Sequence, residues 1–360
     1  MTAKTLYIKP PKEEHGKLPG ISGKVSCVFL RFSVLFAIIP SFLCLSSSCQ
    51  RSALLTSEIY AMDTYMEFKA YGGEAEELLE KAEKEIVRLE QLFSATSAES
   101  ELYRLNLSGS GTVSPELAAI ISASLALFQK TGGAFDPSVR PILRLWGFTE
   151  DEFRVPAEAE IAAALERVGA EKISAGGANV SLNGCELDLG GIAKGYAADR
   201  FAELAAESPC SGAFANLGGM ICAAGTKPGG GLWRVALQSP LDEGYAAVLS
   251  VSGVCISTSG AYQRYFESGG KQYHHIIDPS TGCPAESDLL SATVIDESGC
   301  FADAVSTALF VMGEDASVEF CRQNGVCAIL ITEDMRLLCL GGAEELLEDL
   351  PGEAFALCIG

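Results

Sequence analysis

The chain is short of cations, short of histidine and without paired cysteines, and each shortage excludes something. Lys and Arg number 26 against 47 Asp and Glu, for a net charge of −21 and a pI near 4.6. A surface this acidic repels phosphate backbones, which argues against nucleic acid as a partner. An anionic ligand then needs a local neutraliser: a metal, a helix N-terminus or a few placed cations. None of the 13 cysteines forms a C-x-x-C pair, and no Cys/His cluster has zinc spacing. Most read as small buried hydrophobes, with one or two disulfides open if the chain leaves the cytosol. Beyond residues 32–45 no apolar run is long enough to cross a membrane. Linkers, repeats and low-complexity blocks are also lacking.

What is present is a core. With 48% hydrophobic residues over 360 positions, the chain buries ample apolar surface. Lys24 and Arg31 precede the apolar run Phe32–Leu45, which has the length of a signal h-region. Ser46-Ser47-Ser48-Cys49 follows, similar to a lipobox in which Cys49 becomes the lipidated first residue, although Leu45 sits one position too far upstream. The polar stretch before Lys24 is long for such a signal. Residues 1–48 are therefore expected to direct export to the outer face of a bacterial cytoplasmic membrane or the periplasm as a lipoprotein. An uncleaved anchor or plain secretion are the alternatives.

Residues 49–360 read as one α+β domain. Ala75, Leu78, Leu79, Ala82, Ile86, Leu89 and Phe93 recur in steps of three and four, marking an amphipathic helix. Ser114-Pro115 starts a second helix that stops at Gly132-Gly133, and a third spans about 156–168. After residue 170, β-type runs appear near 179–182, 233–238, 247–251, 254–257 and 291–295. Helices are expected after Gly191 and Ala302. Residues 326–340 read as two strands about a turn at Glu333-Asp334.

Three segments carry chemistry. In Asp188 to Asp199 (DLGGIAKGYAAD) a strand-like run meets a helix across two glycines. Free N–H groups and the helix dipole favour an anion there, and Lys194 adds a full charge in the first turn. The pattern is neither G-x-G-x-x-G nor a Walker loop, and a structural turn with a surface lysine fits it as well. In Ala302 to Leu309, Asp303 and Thr307 are four apart and share one helix face. A carboxylate and a hydroxyl suit Mg²⁺, which keeps waters and substrate phosphates in its shell. An N-terminal Asp with a back-bonded Thr is the plain alternative. In His274 to Gly282, a histidine pair precedes the turn Asp278-Pro279-Ser280-Thr281-Gly282. Either histidine could steer a proton or meet a phosphate, and such pairs are often structural. Ser257 to Tyr262 reads as a hydroxyl-rich turn. Gly133 to Val139 and Leu145 to Phe148 supply aromatics that suit a core or a flat ligand.

Taken in order, these segments resemble the ApbE-type FAD:protein FMN transferase family. Met62-Asp63-Thr64, Ala134-Phe135-Asp136, Leu145 to Phe148, Asp188 to Asp199, Asn216 to Gly219, Thr258 to Gly260, His275 to Gly282 and Ala302 to Thr307 carry the match. The resemblance implies a single T-fold-like domain with mixed and antiparallel sheets and packed helices. It implies Mg²⁺ held by a backbone oxygen of Gly191 and by Asp303 and Thr307, with Ser306 nearby. It implies FAD, as substrate, contacted by Met62, Ala134, Phe135, Asp136, Asp188, Lys194 and Ile277. The implied reaction moves FMN onto a Ser or Thr hydroxyl of an acceptor flavoprotein, such as a membrane redox complex subunit, and releases AMP. His275 is the candidate to handle the hydroxyl proton, with Asp278 orienting it. FAD hydrolysis to FMN and AMP, or a flavin-carrying lipoprotein without turnover, are the alternatives. The chain departs from the family with Asp63 for the usual Gly, Thr96 where many members carry Tyr, and Met220 where Asp is frequent.

Overall fold

Nine strands cross the main sheet in the order they occur along the chain. The computed structural model describes residues 53–150, 152–350 and 354–360; the expected export segment and Cys49 lie outside them. The strands are β1 (Leu55–Ala61), β2 (Thr64–Gly72), β3 (Cys210–Leu217), β4 (Met220–Gly225), β5 (Val254–Gly260), β6 (Leu289–Asp296), β7 (Cys327–Thr332), β8 (Arg336–Leu340) and β9 (Ala356–Ile359). Neighbours are antiparallel except β8 and β9, which run parallel.

The central strands are apolar on both faces because both faces are covered. Cys222, Cys255, Val294 and Leu330 turn to a core shared with helices. Ile221, Ile256, Ile295 and Ile329 turn the other way, to a second core under a small sheet of Trp233–Gln238, Tyr245–Val251 and Leu347–Asp349. The period of two along each strand therefore sorts side chains between two cores.

The helices are α1 (Ala75–Phe93), α2 (Glu101–Ser108), α3 (Pro115–Lys130), α4 (Arg140–Trp146), α5 (Glu158–Leu165), α6 (Ala193–Glu207), α7 (Gly299–Met312) and α8 (Glu314–Asn324). The buried face of α1 is the seven-residue stripe read from its spacing. Ser114 caps α3 by accepting from Leu117 N at 3.2 Å, and Pro115 opens it. The helix expected after Ala302 starts three residues earlier, because Ser298 caps it by accepting from Phe301 N. The expected turn at Ser257 to Tyr262 is corrected: β5 continues to Gly260. The Leu145 to Phe148 aromatics are core. Trp146 and Phe148 pack with Ile142, Phe266 and Ile277, and the Trp146 indole donates to Gly282 O at 2.8 Å.

Two helices fix the site. A Cβ on Gly195 of α6 would lie 2.2 Å from Gly299 O, and one on Gly299 of α7 would lie 2.3 Å from Gly195 O. The two backbones touch, and only glycine permits that. Each helix also supplies a carboxylate to the other's first turn. Asp303 Oδ2 accepts from Gly195 N at 2.9 Å, while Asp199 accepts from Gly299 N and Cys300 N. The spacing is Gly-x-x-x-Asp in both helices. Gly195→Ala should therefore destabilise the protein by about 2–3 kcal/mol through overpacking, read from the midpoint of denaturant unfolding. A change under about 0.5 kcal/mol would show that the contact relaxes freely.

Candidate active site

The helix face of β5 presents Ser257 and Ser259 to α7, while Thr258 points away and meets Thr293 Oγ1 at 2.9 Å. Ser257 donates to Asp303 Oδ1 at 3.1 Å. Ser306 lies between Ser257 and Ser259, at 3.2 and 2.9 Å, and donates to Asp303 O. Thr307 Oγ1 is 3.3 Å from Ser259 Oγ. A Cβ on Gly191 would meet the buried Phe135 ring at 3.2 Å and Thr307 Oγ1 at 3.8 Å. Gly191, Asp303, Ser306 and Thr307 are thus brought together. Ser257 and Ser259 join them. Their spacing of two, continuing from Cys255, is the sequence signal that they share one strand face.

Asp303 is 5% exposed. Its carboxylate takes two hydrogen bonds, both from neutral donors, and no ion pair reaches it among the described residues. A carboxylate has about four acceptor positions, and a buried anion without a countercharge is costly. Hard oxygens around a buried, cation-free carboxylate suit Mg²⁺. No group of three His, Cys, Asp or Glu that could hold a metal occurs among the described residues, so any ion here would depend on one carboxylate, hydroxyls, main-chain oxygens and its own waters.

The glycine turn lies beside this cluster. Asp188 Oδ1 accepts from Gly190 N at 2.8 Å, and Asp188 N donates to Pro137 O at 2.8 Å. That pairing sets residues 136–139 alongside 186–188. Lys194 Nζ donates to the carbonyl of Gly190 at 3.2 Å. Behind the turn, Glu186 receives Arg144 at 2.8 Å and also Arg167, with Arg140 Nε 3.5 Å away. Burial alone would raise the Glu186 carboxyl, but these three guanidinium groups hold it below the ordinary range.

Asp136, an expected FAD contact, and Asp278, the expected orienter of His275, each hold a turn. Both Asp136 oxygens are engaged, Oδ1 by Ser138 N and Oγ, Oδ2 by Ala170 N at 3.2 Å. Burial pushes its carboxyl up despite those bonds. Asp278 accepts from Ser280 N, Ser280 Oγ and Thr281 Oγ1, at 2.8, 2.7 and 3.2 Å. The expected His275–Asp278 bond is absent. His275 Nδ1 instead meets Arg264 O at 3.1 Å. A carbonyl can only accept, so Nδ1 carries the proton and Nε2 keeps its lone pair. Burial, with Lys194 among the lesser causes, lowers this imidazole to about 3. Ala134, Asp136 and Asp278 line a cavity of about 560 Å³ together with Glu171 and Met312. Ile277 packs in the aromatic core, and Met62, at the left-handed turn between β1 and β2, packs against the core that contains Phe135.

A family model, the ApbE family, matches residues 62–331. The chain belongs to the ApbE family. It is 36% identical over 273 residues to the FAD:protein FMN transferase of Escherichia coli K12, covering 72% of this chain and 77% of that protein. The Treponema pallidum protein of the same name is 33% identical over 352 residues, covering 89% and 95%. Among solved structures, the Thermotoga maritima ApbE protein matches with a TM-score of 0.78 and 31% identity over 82% of this chain and all of its own. The apo flavinyl transferase ApbE of Pseudomonas stutzeri matches with 0.75 and 27% over 83% and 98%. The ApbE fold thus accounts for the α+β architecture and for the ordered motifs.

The His275 environment makes a pH prediction. The unfolded chain takes a proton near pH 6.5 that the folded ring refuses until about 3. The unfolded state then binds more protons in that window, so stability falls as pH drops from 6.5 towards 3. His274, also lowered by burial, and Glu186 act in the same direction; Asp136 opposes them. The thermal midpoint of His275→Gln should fall less steeply with acid than that of the unaltered protein. Equal slopes would return the His275 imidazole to its ordinary range.

Proposed function

We propose that this ApbE-family chain transfers FMN from FAD to a Ser or Thr hydroxyl of an acceptor protein and releases AMP. The names carried by its relatives support the flavin chemistry. The observation that carries the metal reading is the buried Asp303 carboxylate, surrounded by hydroxyls, with no cationic side chain paired to it among the described residues. We assign Mg²⁺ to Asp303, Thr307 and the main-chain oxygen of Gly191, with Ser306 behind them. When bound, the ion supplies charge that offsets the FAD pyrophosphate and the departing AMP.

The chain's own residues do the remainder. Lys194 and the N-terminal end of the α6 dipole attract the pyrophosphate in a chain that otherwise repels anions. Ser257 and Gly195 N hold both oxygens of Asp303, which fixes its orientation. Phe135 and Asp136 shape the wall next to the glycine turn, and Asp188 keeps that turn in form. Met62, Ala134 and Ile277 complete the proposed FAD contacts. The acceptor hydroxyl attacks the FMN phosphorus in line, and the bond to the AMP oxygen breaks. His275 Nε2 accepts a hydrogen bond from that hydroxyl. An imidazole this weakly basic orients the nucleophile and does not store its proton, which passes to the departing AMP phosphate or to solvent. Positioning and charge carry the rate. The export reading, with Cys49 as lipid anchor, is kept as part of the proposal. It places the acceptor among exported flavoproteins or membrane redox subunits.

Asp303→Asn keeps the shape of the side chain and removes its charge. It should lower covalent FMN transfer by about 100-fold or more, with the circular dichroism spectrum unchanged. The assay reads flavin fluorescence on an acceptor protein after incubation with FAD and Mg²⁺. Transfer at the normal rate would overturn the metal assignment. Rapid AMP release without any acceptor would move the reaction to hydrolysis.

A further inference from the structure

Cys222 on β4 and Cys255 on β5 stand directly opposite each other in antiparallel register. Opposed residues point to the same face, with Cα atoms about 4.5–5.5 Å apart. That separation is within the range a disulfide spans. Among the described cysteines no other two share a register position. Both are free thiols here, 2% and 1% exposed, on the helix face of the sheet. They also line one cavity of about 400 Å³ between α6 and the sheet, whose wall includes the exposed Ala206, Gly253 and Glu297. Small reagents therefore have a way in. The facing Cys222 thiol and burial hold Cys255 far above the ordinary thiol range, so closure is slow in the folded state and easier while the strands pair during folding.

We propose that Cys222 and Cys255 are a disulfide-forming pair that closes when the chain folds in a medium containing a small disulfide. One thiolate attacks oxidised glutathione, breaks its S–S bond and expels one glutathione thiolate. The second thiolate attacks the resulting mixed disulfide and expels the other. One S–S bond forms and one breaks. The two cysteine protons pass to the two released glutathiones, and the two electrons lost by the pair reduce the oxidant. The bridge pins β4 to the strand that carries Ser257 and Ser259. This inference is independent of the proposed reaction.

The test refolds the full chain with oxidised glutathione, blocks free thiols with N-ethylmaleimide in denaturant, and maps peptides without reduction. The expected result is one peptide pair joining Cys222 to Cys255, released by dithiothreitol. The thermal midpoint should rise by roughly 5 °C relative to the reduced protein, a gain absent in Cys222→Ser and in Cys255→Ser. Recovery of both cysteines fully blocked, of glutathione adducts alone, or of either cysteine joined to a third overturns the assignment.

Discussion

The touching backbones of Gly195 and Gly299 set the geometry of everything around them. With any Cβ between them α6 and α7 would separate, and Asp303 would no longer reach Gly195 N. α6 has no side-chain cap of its own at Ile192. Its first turn is completed by a carboxylate from another helix, as α7 is completed in part by Asp199. Each helix end is therefore satisfied only while the other is in place. Helix ends are usually capped locally; α7 has such a cap in Ser298, but α6 depends on Asp303 of the other helix, so forming the site and packing the core are one event.

That reciprocity is nearly symmetric, and the departures from symmetry separate the two ends. Asp199 spends both oxygens on main-chain amides of α7. Asp303 spends one on an amide and one on the Ser257 hydroxyl, with Ser306 and Thr307 on the same helix. Hydroxyls can be acceptors as readily as donors. The Asp303 end can thus turn several oxygens toward a cation, whereas the Asp199 end is saturated by N–H donors. The chemistry follows from which neighbours surround the carboxylate; the Gly-x-x-x-Asp spacing is common to both.

Much of this was legible in the sequence, and the exceptions have physical causes. The stripe of α1, the Ser-Pro start of α3 and the strand pair near 326–340 follow directly from period, cap and turn chemistry. Strands β3 and β4 (CSGAFANL and MICAAG) were hidden because they are rich in small residues with weak strand preference. They pair by position between other strands, a tertiary effect that no local window contains. Ser257 and Ser259 were hidden for a related reason. Hydroxyl and glycine residues favour turns, yet here they continue a strand whose helix face is polar. Asp303 and Thr307 were legible as neighbours on one helix face because their types and spacing state it, whereas the place of Gly191 beside them came only from the resemblance to the family. The resemblance implies an FAD contact for Asp136 and an orienting role for Asp278, but an aspartate two residues before a serine N–H readily folds back on its own turn. Sequence spacing identifies which carboxylates are near a site. It does not tell which have already spent their lone pairs.

The net charge of −21 gives that distinction its weight. In a strongly acidic chain, long-range fields oppose an anionic ligand, and screening confines them to about 8–10 Å at physiological salt. An anion site must then be built from short-range terms. Lys194 and the first turn of α6 supply two of them at one place. A cation at Asp303 would add a third, where the buried carboxylate lacks a countercharge among the described residues. Asp136 and Asp278, already held by N–H and O–H donors, compete less for such a cation than a bare carboxylate does. Their internal bonds therefore serve selectivity: they leave Asp303 as the carboxylate beside the glycine turn that still needs a positive partner.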